Sequence, residues 1–261
     1  MTKLSLSTFQ LKLIAIISMA IHHTAYVFWE YIPLWVNAVL AFGLGVAFPI
    51  MAFFLVEGFR RTSNIKRYII RLLIFAVISQ VPHSLALGVL MPNIIFTILL
   101  GLLCLMMHKK LYIEKQKRGL FVILFILITL GSFFFEAGIV GPPLILMYHL
   151  IKDEKKRRIW PLVMIGGVNI IMSLINRLIL FVSDDMVAEA TGIVQMQFQV
   201  MENYFVVPLG PFLIIPLLLA YNGQRGRRAK YLFYAFYPGH YAILAIIALA
   251  LGITSFSVFG I

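Results

Sequence analysis

Two histidines stand at matched depth in the first and last apolar runs of the chain. On a helix, His23 lies about 16 Å beyond Lys12 and His240 about 15 Å beyond Lys230. An imidazole ionises near neutral pH, so a pair of them is suited to proton abstraction or to holding a polarised oxygen. The same count places Gln80 about 14 Å beyond Arg71 and Asn169 about 16 Å beyond Arg158. A bilayer's hydrocarbon core is about 30 Å thick, so the four side chains form a polar layer near its middle. Ionisable groups at that depth are costly, face the protein interior and mark functional sites. A single Asn or Gln there reads first as interhelical hydrogen bonding. His22 adjoins His23 but points about 100° away on a helix, His83 lies further out, and Asn176 and Arg177 sit near the outer end of the seventh run. No HxxxH or ExxH spacing occurs, so a metal centre is not expected. Walker, GxSxG and GxGxxG motifs are also missing, which removes ATP hydrolysis and dinucleotide chemistry from consideration.

The elements that must carry this layer follow from the charges. Of 22 Lys and Arg residues, 21 fall in five clusters: Lys3 to Lys12, Arg60 to Arg71, Lys109 to Arg118, Lys152 to Arg158 and Arg225 to Lys230. Stretches such as Glu30 to Pro33, Ser84 to Pro92, Glu136 to Gly138 and Ser183 to Asn203 carry none. Cytoplasmic loops are rich in Lys and Arg and the opposite loops are not. A chain with 62% hydrophobic residues and mean hydropathy +0.98 is not that of a soluble domain. The net charge of +12 sits in short loops, which points to anionic lipid headgroups or an anionic cytosolic ligand rather than nucleic acid.

The expected fold is therefore all-α and polytopic, one integral membrane domain over residues 1–261. Nine spans are expected: Leu11 to Phe28, Leu34 to Val56, Ile69 to Leu85, Asn93 to Met107, Gly119 to Phe135, Ile139 to Ile151, Ile159 to Val182, Phe205 to Tyr221 and Leu232 to Ile253. The N-terminus is then cytoplasmic and the C-terminus outside, in the cell (plasma or inner) membrane. The first run reads as a retained span rather than a cleaved signal. The fourth and sixth are short, and Pro142 and Pro143 open the sixth; a tilted helix, a broken helix and a re-entrant hairpin all remain open for them. Between Ser183 and Asn203, apolar Val194, Met196, Phe198 and Val200 alternate with Gln195, Gln197 and Gln199, as in a short strand or a segment lying at the membrane surface. Cys104 is the one cysteine, so an internal disulfide is impossible.

Several stretches resemble the TraX family, named for a membrane protein that acetylates pilin N-termini. They are Leu11-Lys12-Leu13-Ile14-Ala15 with Met19 and His23, and Phe48-Pro49-Ile50-Met51-Ala52-Phe53-Phe54-Leu55-Val56-Glu57-Gly58-Phe59. Tyr68, Arg71 to Ala76, Ser79-Gln80-Val81-Pro82 and Asn93 to Gly101 continue the likeness, and Phe233-Tyr234-Ala235-Phe236-Tyr237-Pro238-Gly239-His240 closes it. Residues from about Lys109 to Gly210 match only as apolar sequence. The family commonly has Asp where this chain has His22, and Arg shortly before the Phe-Pro of span two, where this chain has Gly45. An acid and a base exchanged together are consistent with a buried ion pair replaced as a unit, or with altered substrate or lost activity.

The resemblance implies acetyl transfer from cytosolic acetyl-CoA to an amino group of a pilin-like or secreted peptide. On that reading His23 is the first candidate base and His240 the second. Arg60, Arg61, Arg67 and Arg71 are candidates for the phosphates of CoA, with Arg71 the deepest. His22, Glu57, Gln80, His83, Asn93, Asn169 and Tyr237 are expected to line the site. Two other classes are compatible with the sequence: O-acetylation of a surface glycan, and transport through the polar layer. Against transport, no inverted repeat is visible.

Overall fold

The computed structural model describes residues 4–28, 31–33, 36, 44–182 and 210–253. The alternating segment between Ser183 and Asn203, the beginnings of the second and eighth expected spans, and the side chains of Asn176 and Arg177 lie outside the described residues.

Among the described residues the fold is all-α, with nine α-helices. They are α1 (Thr8–Val27), α2 (Leu44–Arg61), α3 (Ile65–Leu87), α4 (Ile94–Met107), α5 (Arg118–Gly131), α6 (Gly141–Leu150), α7 (Glu154–Val182), α8 (Gly210–Leu219) and α9 (Lys230–Ala250). Local chemistry sets several boundaries. Ser7 and Gln10 close a reciprocal capping box at the start of α1. Asn64 caps α3, which ends at Gly88 in the left-handed conformation.

The two short runs are resolved differently. α4 continues into a π-helical segment, His108–Glu114, giving a continuous helical stretch of 21 residues. α6 keeps only 10 residues. Its prolines occupy the first turn, where their missing N–H groups cost nothing, so they open the helix rather than break it. Short 3₁₀ turns at Ser132–Phe134 and Gly138–Val140 frame the loop that precedes it.

Among the described residues, three stretches are long and apolar enough to cross a membrane: Ile65–Leu87, Ile94–Glu114 and Tyr231–Ala250. Their outward faces are apolar. Ile70, Ile74, Val77, Ile78 and Val81 of α3 and Ile243 and Ile246 of α9 are exposed, the inverse of a water-soluble helix. Inside, α9 runs along α3, α1 along α2, α4 against α6 and α8 against α7. α2 lies at the centre and buries Ile50, Ala52, Phe53 and Val56. Small residues allow the tightest approaches: a methyl group on Gly101 would strike Ile145, and one on Gly141 would strike Thr97.

Contacts tie the basic clusters to one end of this bundle. Leu6 donates its N–H to Ala220 O at 2.8 Å, and Asn222 N–H returns to Leu6 O at 3.0 Å. Arg158 Nη1 donates to Tyr221 O at 3.0 Å, Arg60 Nη2 to His149 O at 2.8 Å, and the His149 and His108 rings meet edge to face. The loops after α3 and α5 meet away from these contacts, where Glu136 N–H bonds Pro92 O at 3.0 Å.

Candidate functional site

A cavity of about 290 Å³ lies among α1, α2, α3, α4, α7, α8 and α9. One stripe of α1 lines it: Ile16, Met19 and His23, with His22 beside them. On α9, Phe233, Tyr234, Phe236 and Tyr237 face it. Asn169 and Glu136 also reach it, in an otherwise mostly apolar wall.

The histidines form a directed chain. His240 Nδ1 lies 2.9 Å from the carbonyl oxygen of Phe236. That oxygen can only accept, so Nδ1 carries the proton of a neutral His240. Its Nε2 is then an acceptor, 2.7 Å from His23 Nδ1, which must donate. The lone pair of a neutral His23 is therefore on Nε2. Tyr241 Oη lies 3.0 Å from that nitrogen and Glu136 Oε1 lies 3.8 Å from it. His22 and His23 both reach the cavity despite their angular separation, whereas His240 lies behind His23 and is not part of the wall.

Glu136 is the residue that the sequence did not single out. As the acid of a short outer loop it reads as solvent-facing; the structure corrects this. Its side chain is 22% exposed and folds inward to His23 and His83. Oε2 accepts from Ile94 N–H at 2.7 Å and Tyr237 Oη at 3.0 Å, and stands 3.4 Å from His83 Nε2. Ile94 opens α4, so the carboxylate also sits at the positive end of that helix. The loop is held rigidly. Thr97 Oγ1 donates to Glu136 O, Ser132 Oγ donates to Gly138 O at 3.0 Å, and Ala137 takes φ +65°, an uncommon conformation for a residue with a Cβ. Among the described residues, every ion-pair contact of Glu136 is with a histidine.

Gln80 and Asn93 support this arrangement without facing the cavity. Asn93 N and Nδ2 both donate to Gln80 Oε1, at 3.1 and 3.0 Å, and Gln80 Nε2 donates to Met91 O and Ser84 Oγ. Asn93 Nδ2 is shared with Ala76 O, and Asn93 Oδ1 caps α4 through Ile95 N–H. This clamp aims Ile94 N–H at Glu136.

The expected phosphate ligands divide. Glu57 receives Arg61 Nη2 at 2.9 Å and Arg157 Nη2 at 3.0 Å, with Arg60 Nη1 at 4.0 Å. Arg60 is further engaged with His149 O. Glu57 and these arginines therefore form a clasp at the basic end, and none of them lines the cavity. Arg67 is exposed on the first turn of α3. Arg71 stacks over Tyr68 and Tyr234, at 5.7 and 5.6 Å from the ring centres, and Tyr234 is cavity wall. Lys12, counted in the sequence as part of a topological cluster, lies over Phe54 and Phe233 at 5.4 and 5.6 Å, and Phe233 is wall as well. A spacing of four, three and four residues, Lys12, Ile16, Met19, His23, puts the cation and the histidine on one face of α1; that signal was present in the sequence.

The cavity wall thus includes two rings that carry cations on them, Phe233 and Tyr234, and a histidine whose Nε2 stands 3.8 Å from a carboxylate. Comparison with known proteins finds the family described as TraX protein matching residues 7–248. The chain is also 30% identical over 261 aligned positions to a Dichelobacter nodosus protein named probable fimbrial assembly protein FimC, serogroup H1, covering 91% of this chain and 94% of that one. No solved structure matches it.

Proposed function

Because the chain belongs to the TraX family, we propose that it is an integral membrane acetyltransferase carrying acetyl from cytosolic acetyl-CoA to the amino group of a pilin-like or secreted peptide. The observation that carries this reading is the orientation of His23. His23 lines an apolar cavity, and its contact with His240 leaves Nε2 as the acceptor nitrogen, met by Tyr241 Oη at 3.0 Å and by Glu136 Oε1 at 3.8 Å; Lys12 and Arg71 lie over the wall rings Phe233 and Tyr234. The name of the Dichelobacter nodosus relative supports a fimbrial or pilin-like acceptor.

In the proposed reaction, the phosphates of CoA rest on Arg71 and Lys12, with Arg67 at the entrance, and the uncharged arm carries the thioester along α1 toward His23. His23 Nε2 removes a proton from the acceptor ammonium, and the freed amine attacks the thioester carbonyl. A C–N bond forms and the C–S bond breaks. Of the two protons the nitrogen loses, one passes to the departing thiolate and one to solvent. The proposed topology has nine spans in the cell membrane, with the basic end in the cytosol.

The test is His23→Gln in purified, reconstituted protein. Glutamine keeps hydrogen-bonding capacity but is no base near neutral pH. Transfer should fall about 10²–10⁴-fold while acetyl-CoA binding persists. A variant that retained most of its transfer rate would refute the assignment.

A further inference from the structure

We propose that Glu136 Oε1 is the seat of the acceptor's protonated primary amine, so that acyl donor and acceptor meet at His23 from opposite ends of one cavity. The amine's role as acyl acceptor rests on the acetyl-transfer reading above; the ammonium seat itself does not.

The two carboxylate oxygens are used unequally. Oε2 is engaged by Ile94 N–H, Tyr237 Oη and His83. Oε1 has its nearest basic neighbour in His23 Nε2 at 3.8 Å, beyond hydrogen-bonding distance. An ionised carboxylate offers about four acceptor positions; among the described residues the hydrogen bonds to this one fall on Oε2, and Glu136 is part of the cavity wall. A carboxylate so enclosed needs a positive partner. No Lys or Arg supplies one among the described residues, since the charged ends of Arg60, Arg61 and Arg157 are gathered at Glu57.

An alkylammonium fits both needs. It carries a permanent charge, which His23 and His83 supply only when protonated, and three donors. With one N–H on Oε1, another can replace Tyr241 Oη as the donor to His23 Nε2, so the seat delivers the amine to its base. An alcohol brings one donor and no charge, and gains little from Oε1. The clamped loop, pinned through Pro92, Thr97 and Ser132, fixes the carboxylate before the acceptor arrives.

The test uses the full chain in detergent, without acetyl-CoA. A Leu-Ala-Leu amide with a free N-terminus is compared by calorimetry at pH 7 with the same molecule bearing hydroxyl in place of the amine. The amine should bind at least tenfold tighter, and Glu136→Gln should bring the two within about twofold. Equal affinities in the wild-type protein overturn the proposal, as does a preference that survives E136Q. A second measurement needs no variant. Carbodiimide activation should couple the peptide amine to Glu136, located by mass spectrometry; coupling confined to other acids overturns the seat. If preference and coupling hold while acetyl-CoA is neither bound nor consumed, the transferase reading falls and the seat stands. If acetyl-CoA is consumed but amine and hydroxyl bind alike, the reverse is true.

Discussion

His23 Nδ1 and His240 Nε2 lie 2.7 Å apart, with the two rings nearly parallel. Because Phe236 O fixes the proton of His240 on Nδ1, this one contact decides which nitrogen of His23 is basic. In the proposed mechanism His240 then acts through His23 rather than on substrate. A glutamine at position 240 can still accept from His23 Nδ1 through its amide oxygen. His240→Ala should lower kcat about 10–100-fold with little change in KM for acetyl-CoA, and His240→Gln should recover much of it. Steady-state kinetics on the two variants decide between positioning and base catalysis: equal, severe losses would make His240 a base in its own right.

The convergence of basic clusters on one end of the bundle makes a topological statement. Lys115 and Arg227 are exposed at that end, whereas Leu90 is exposed in the loop between α3 and α4, beside the Glu136 loop. Single cysteines in a Cys104→Ala background should label from outside intact cells at Leu90, and at Lys115 and Arg227 only after permeabilisation. The reverse pattern would place the basic end outside the cytosol and end the proposed mechanism.

The element layout was legible because membrane helices announce themselves by apolar length and by charge at their ends. The nine apolar runs correspond to nine helices among the described residues, with α4 starting one residue after the expected Asn93. Depth counting also paired His23 with His240. It failed for Glu136, since no periodicity reveals that a loop folds back into the bundle; that depends on Pro92, Thr97 and Ser132, which are distant in sequence or unremarkable in type. It could not sort the arginines for a related reason. A basic cluster at a helix end looks the same whether its members bind a ligand or a glutamate, and only tertiary packing separated Arg71 from Arg60 and Arg61.

Gly101 explains how α4 and α6 come close enough to hold the Glu136 loop between them. The space for its side chain is filled by Ile145, which is fully buried. Gly101→Leu should destabilise the fold by about 1–3 kcal/mol through overpacking. Ile145→Ala in the same molecule should restore part of that loss, because the two changes share one space. Thermal unfolding in detergent, run on both singles and the double variant, checks this; strictly additive losses would show that α4 and α6 do not meet at these residues.

Lys12 and Arg71 differ from the other cations of the basic end in what they touch. Each lies over an aromatic ring of the cavity wall, Phe233 and Tyr234 respectively, while Arg60, Arg61 and Arg157 share Glu57. A phosphate arriving at the cavity therefore meets Lys12 and Arg71 without first displacing a carboxylate. Away from bulk water their attraction for an anion is weakly screened. Lys12→Ala and Arg71→Ala should each weaken acetyl-CoA binding about tenfold, against less than twofold for Lys115→Ala. Arg61→Ala should leave affinity nearly unchanged and cost about 1 kcal/mol of stability or less, as expected of a solvent-facing ion pair. Calorimetric titration of the four variants gives the comparison. If Arg61→Ala proves as damaging to affinity as Arg71→Ala, the phosphates lie on the Glu57 clasp, and the cavity's cationic end has another occupant.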